Sequence, residues 1–137
     1  MPQHLSLVAI VVDEYDTAID YYVGTLGFEL REDAVQSATK RWVVVAPHGA
    51  STGLLLARAA DERQRHAIGN QSGGRVFLFL ETDDLVRDYQ IYRERGVRFV
   101  EDPRHEAYGV VVVFEDLYGN RWDLIERAVD QTSGGSN

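Results

Sequence analysis

Residues 5–30 read LSLVAIVVDEYDTAIDYYVGTLGFEL, and residues 76–100 read VFLFLETDDLVRDYQIYRERGVRFV. Each opens on an apolar, largely β-branched or aromatic run, Leu5 to Val12 and Val76 to Leu80, which predicts a buried strand. Candidate helix caps follow, Asp13-Glu14-Tyr15-Asp16 in the first stretch and Thr82-Asp83-Asp84 in the second. Ala18, Ile19, Tyr22, Val23 and Leu26 then recur at helical spacing, as do Leu85, Val86, Tyr89 and Tyr92. Gly27 and Gly96 supply the stops. Phe28-Glu29-Leu30 and Val97-Arg98-Phe99-Val100 resume in extended form. The separation from Asp16 to Gly27 differs by one residue from that between Asp84 and Gly96. One helix could match another by chance, but the whole order repeats.

Each repeat continues into a hairpin. Arg41 to Ala46 and Gly53 to Ala57 flank residues 47–52, and Val110 to Glu115 and Arg121 to Glu126 flank residues 116–120. Gly and Asn in those turns permit positive φ at no steric cost. Each half therefore reads βαβββ, an α+β fold. The expected organisation is one domain over residues 1–127, with modules at about 5–58 and 75–127. Residues 59–74 are expected as a polar linker and 128–137 as a flexible tail.

Composition narrows the functions. The 137 residues carry a formal charge of −8, which argues against a broad nucleic-acid surface. Arg63, Arg65, Arg87, Arg93, Arg95 and Arg98 are interleaved with acids and read as solvated surface. There is no cysteine, so disulfides and thiolate chemistry are excluded. No apolar run approaches the roughly 20 residues that span a bilayer, and the opening Met1-Pro2-Gln3-His4 lacks signal-peptide character. A cytoplasmic protein with no nucleic-acid or membrane partner is the expectation. No serine sits in a nucleophile-elbow pattern, and no glycine cluster makes a phosphate loop. His48, His66 and His105 fall in a turn, the linker and a connection, with no metal-ligand spacing between them.

Several of these segments together resemble the vicinal oxygen chelate superfamily, which contains glyoxalase I, bleomycin-resistance proteins and extradiol dioxygenases. The segments are Val11-Val12-Asp13, Ala18-Ile19-Asp20-Tyr21-Tyr22 and Leu26-Gly27-Phe28-Glu29 in the first half. In the second they are Asp83-Asp84, Gly96-Val97, Tyr108-Gly109 and Phe114 to Asn120. The resemblance covers about residues 5–126. It implies paired βαβββ modules forming a U-shaped mixed sheet with helices outside and a ligand in the concavity, and it implies pairing of two chains as a homodimer. It fixes no reaction, because one scaffold hosts many chemistries.

Enzymes of this superfamily hold a divalent metal on inward-facing strand positions. By the resemblance those positions fall here on Leu7, Leu55, Phe77 and Asp123. Three are hydrocarbon and offer no lone pair. The expectation is therefore a pocket without cofactor, binding a small apolar or aromatic molecule. Its expected lining is Leu7, Ala9, Trp42, Leu55, Phe77, Phe79, Tyr108, Arg121 and Asp123. Trp122, out of phase with Asp123, is expected to pack between helix and sheet, whereas Trp42 is open to either packing or ligand stacking. The alternative is a metal-dependent lyase, isomerase or ring-cleaving dioxygenase using displaced ligands, Glu81 or His105 with Asp123, the last also the one candidate general base. Burial would raise the Asp123 pKa and Arg121 would lower it.

Overall fold

The computed structural model describes residues 1–129. The expected tail from residue 130 onward lies outside the described residues. The chain divides into two compact units, Met1–Gln71 and the residues from Ser72 onward.

The first unit runs β1 (Leu7–Val12), α1 (Tyr15–Ile19), β2 (Glu29–Val35), β3 (Arg41–Ala46), β4 (Gly53–Arg58) and α2 (Glu62–Ala67). Its mixed sheet has the order β1-β4-β3-β2, with β1 parallel to β4 and the other pairs antiparallel. Alternation sends Ile10, Val12, Val43, Val45 and Leu56 to one face, where all five are fully buried. Helix α1 packs on that side of β3 and β4, burying Ala18, and continues into a π-helical turn, Asp20–Thr25, which buries Tyr22. There the Leu26 N–H donates to the Tyr21 carbonyl five residues back, at 3.0 Å, a wider turn than the expected α-helix. Gly27 ends it with φ 79°.

The second unit runs β5 (Val76–Glu81), α3 (Leu85–Glu94), β6 (Arg98–Phe99), β7 (Arg104–Glu106), β8 (Gly109–Glu115) and β9 (Arg121–Arg127). Its order is β5-β9-β8-β6, with β7 also on β8, and β5 parallel to β9. Asp84 caps α3 by accepting from the Arg87 N–H at 3.1 Å, as its place in the sequence implies. Beneath α3, Tyr92 meets Phe114 edge-on at 6.0 Å, and Phe114 stacks on Trp122 at 5.7 Å. Trp122 thus packs between helix and sheet, as its phase predicts.

Three further elements depart from the sequence reading. The stretch read as a plain linker holds α2, which is capped at both ends of its first turn. The Asp61 carboxylate accepts from the Gln64 N–H at 2.8 Å, and the Gln64 amide oxygen accepts from the Ala60 N–H at 2.7 Å. The second module has an extra strand, β7, because Arg104 to Glu106 find free backbone partners on β8. Strand β6 shortens to two residues. No helix among the described residues is long and apolar enough to cross a membrane.

Candidate ligand-binding site

In the first unit, the face of the sheet turned away from α1 collects four of the expected pocket residues. Ala9 pairs with Leu55 across β1 and β4, and Leu55 pairs with Val44 across β4 and β3. Leu7 and Trp42 lie two residues from Ala9 and Val44, so alternation puts them on the same face. Trp42 and Leu55 line a cleft of about 620 Å³ together with Ala57 of β4 and Gln64 and Arg65 of α2. That volume falls in the range of small-molecule sites. Leu7 and Ala9 share the face but stand outside the cleft lining. A half-buried indole over aliphatic side chains offers a flat apolar contact, worth about 1 kcal/mol beyond area burial when an aromatic ring stacks on it.

In the second unit, Phe79, Asp123 and Val113 lie side by side on β5, β9 and β8, on the face opposite Trp122. Phe79 is 68% exposed. Phe77 is half-buried within a β-bulge, where the register slips between Val76 and Leu78, so simple alternation from Phe79 does not describe it. Tyr108 sits at the β7–β8 turn, its carbonyl accepting from the Ala128 N–H at 2.8 Å. That is the far end of β9 from Arg121, so Tyr108 does not join the group around Asp123.

The expected Arg121–Asp123 pair does not form. Arg121 leans to Glu115 at 3.8 Å, the residue opposite it on β8. One oxygen of Asp123, Oδ1, is buried without a hydrogen-bond partner. Burial raises the Asp123 pKa, Arg104 opposes the rise, and Glu101 adds to it. Arg104 is itself engaged by Glu101 at 2.9 Å, and Glu101 also accepts from the Val113 N–H at 3.2 Å. Desolvation therefore wins. Unfolded Asp123 titrates near 3.8 and the folded carboxyl higher. Between those values the folded state holds more protons, so stability falls as pH rises through the window, and the cost is complete above it. Asp123→Asn is expected to raise stability at neutral pH, by an amount that solvent screening of the part-exposed carboxylate keeps small. Urea unfolding across pH should show that gain vanishing below the unfolded pKa.

The displaced metal ligands do not converge. Glu81 pairs with Arg127 at 2.9 Å. His105 lies opposite Val110, whereas Asp123 lies opposite Val113, and residues an odd number apart on β8 point to opposite faces. Among the described residues, no three His, Cys, Asp or Glu side chains gather as a cation site.

Two features escaped the sequence reading. Gln64 and Arg65 reach the cleft on α2, a stretch read as linker although Asp61-x-x-Gln64 is a capping-box spacing that marks a helix start. The Glu101–Arg104 pair beside Asp123 left no signal, since it depends on β7 docking to β8.

The family model described as Glyoxalase/Bleomycin resistance protein/Dioxygenase superfamily matches residues 4–124, and the chain belongs to that superfamily. An uncharacterized protein of Shewanella frigidimarina is 54% identical over 92% of this chain and 95% of its own length. The crystal structure of TnmS3, an antibiotic binding protein from Streptomyces sp. CB03234, is 31% identical with a TM-score of 0.75, covering 93% of this chain and 98% of that one. The crystal structure of UcmS2 is 29% identical with a TM-score of 0.78, covering 91% and 98%.

Proposed function

We propose that the protein captures a small apolar or aromatic organic molecule on the Trp42–Leu55 face of its first sheet, without a catalytic metal, in the manner of a resistance-type binder. The observation that carries this reading is the cleft of about 620 Å³ floored by an indole and aliphatic side chains. Likeness to an antibiotic-binding protein at 31% identity supports the ligand class. Hydrocarbon at Leu7 and Leu55, and at Phe77, supports binding rather than metal-assisted chemistry, because none of the three can coordinate.

Shape and desolvation supply the affinity. Buried apolar area contributes about 25 cal/mol per Å², offset by the cost of ordering ligand and side chains. Trp42 should dominate as the largest flat contact. Trp42→Leu keeps the apolar character but removes the ring, and about a tenfold loss of affinity for planar aromatic antibiotics is expected, measured by calorimetric titration. An unchanged affinity would place the ligand elsewhere. We further read the working form as a cytoplasmic homodimer, pairing that would cover apolar surface such as Phe79; sedimentation velocity measures the state.

A further inference from the structure

The chain has a single lysine, Lys40, against thirteen arginines. That lysine lines the same cleft as Trp42 and Leu55. It stands directly before β3 and two residues from Trp42, roughly 7 Å apart along an extended chain, and both residues line the cleft. Its backbone is held in the β2–β3 turn, the carbonyl accepting from the Gln36 N–H at 2.8 Å and the Ser37 N–H at 3.1 Å.

Charge is distributed unevenly around the cleft. In a protein of net charge −8, the lining contributes Lys40, Arg41, Arg58 and Arg65 and no carboxylate. Three of those cations have acidic partners outside the lining. Arg41 is shared by Asp16 at 2.9 Å and Asp33 at 2.8 Å, Arg58 stands 3.7 Å from Glu14, and Arg65 stands 3.1 Å from Glu62. Lys40 has no ion pair among the described residues. Its ammonium is a compact charge on a flexible stem, with three donors to offer an incoming acceptor.

We propose that this cleft selects planar aromatic anions, with the ring on Trp42 and a carboxylate, sulfonate or phenolate oxygen on Lys40. The inference rests on the reading of the cleft as the ligand site and adds the charge of its ligand. The overall negative charge repels anions at long range, so selection operates only at contact. Arg65, at the α2 end of the cleft, is placed to share a second oxygen when it swings from Glu62.

The test is calorimetric titration with three matched probes: naphthalene-2-carboxylate, 2-naphthalenemethanol and 2-naphthylmethylammonium. The carboxylate is expected to bind about tenfold tighter than the alcohol, a preference that shrinks as salt is raised, with the ammonium weakest. Lys40→Gln should bring the carboxylate-to-alcohol ratio close to one. Arg63→Gln, which removes the same charge from α2 outside the cleft lining, should keep the ratio. Because Lys40 carries the chain's one side-chain amine, its acetylation by an amine-selective reagent should be slowed by the carboxylate far more than by the alcohol. Equal binding of carboxylate and alcohol overturns this inference and leaves the binding function standing. A preference that survives Lys40→Gln overturns it as well. Failure of all three probes to bind overturns both.

Discussion

Gly109→Ala is expected to destabilise the second unit by about 3 kcal/mol or more, read as a lower urea midpoint and melting temperature. Gly109 opens β8 with φ 145°, a region that side chains other than hydrogen rarely occupy. A β-carbon there would stand 2.1 Å from the Glu126 carbonyl oxygen and 2.9 Å from both the Ala128 nitrogen and the Arg127 α-carbon. All three obstacles are backbone of the neighbouring β9 region, so no side-chain rotation relieves them. The strand must move instead, and with it the β8–β9 register that seats Val113 beside Asp123. Gly24→Ala is the contrasting case. Nothing lies within 4 Å of its added methyl and its φ is not left-handed, so a neutral to slightly stabilising effect is expected.

Asp116→Ala should cost a comparable 3–4 kcal/mol through lost and orphaned hydrogen bonds. Asp116 is 1% exposed, and its two oxygens accept from four donors. The Tyr118 and Asn120 N–H groups reach Oδ1, each at 3.0 Å. The Asn120 side-chain amide at 3.2 Å and the Trp122 indole N–H at 3.0 Å reach Oδ2. Alanine strands all four donors in a region where Asn120 is 3% and Trp122 3% exposed. Asp116→Asn retains acceptors on one side and should lose less. Equilibrium unfolding of the two variants, followed by circular dichroism, separates the outcomes. A loss below about 1 kcal/mol for the alanine variant would contradict the account of this turn.

That network also explains why the Phe114 to Asn120 stretch was so readable. The spacing of Asp116, Gly119 and Asn120 is local turn chemistry, and local chemistry is written in consecutive residues. The same holds for the repeated strand–helix order, where caps, period and stops agree. Trp122 followed from strand phase alone, since every second residue of β9 faces the helix. What failed depended on distant partners. Strand β7 exists because β8 offers an open edge. The Asp123 environment is set by Glu101 and Arg104, some twenty residues away in sequence, so the expected partner Arg121 turned out to belong to Glu115. Phe77 shifted from simple alternation because a bulge adds a residue that no pattern announces. For the candidate site, Leu55 came from the family resemblance and Trp42 was open between packing and ligand stacking, whereas Gln64 and Arg65 were hidden by a helix misread as linker. The misreading came from composition: Asp61 to Ala67 is polar almost all round, so no apolar stripe marked it, and only its cap spacing did.

Capture of a small organic molecule at the Trp42 cleft is proposed to need no help from a metal. Its most direct test is titration of chelator-treated protein, shown by elemental analysis to be metal-free, with a planar aromatic ligand. One-to-one binding that is unchanged when Zn, Ni, Mn or Fe is added back is the predicted result. Binding that appears only after one of those metals is restored would contradict it.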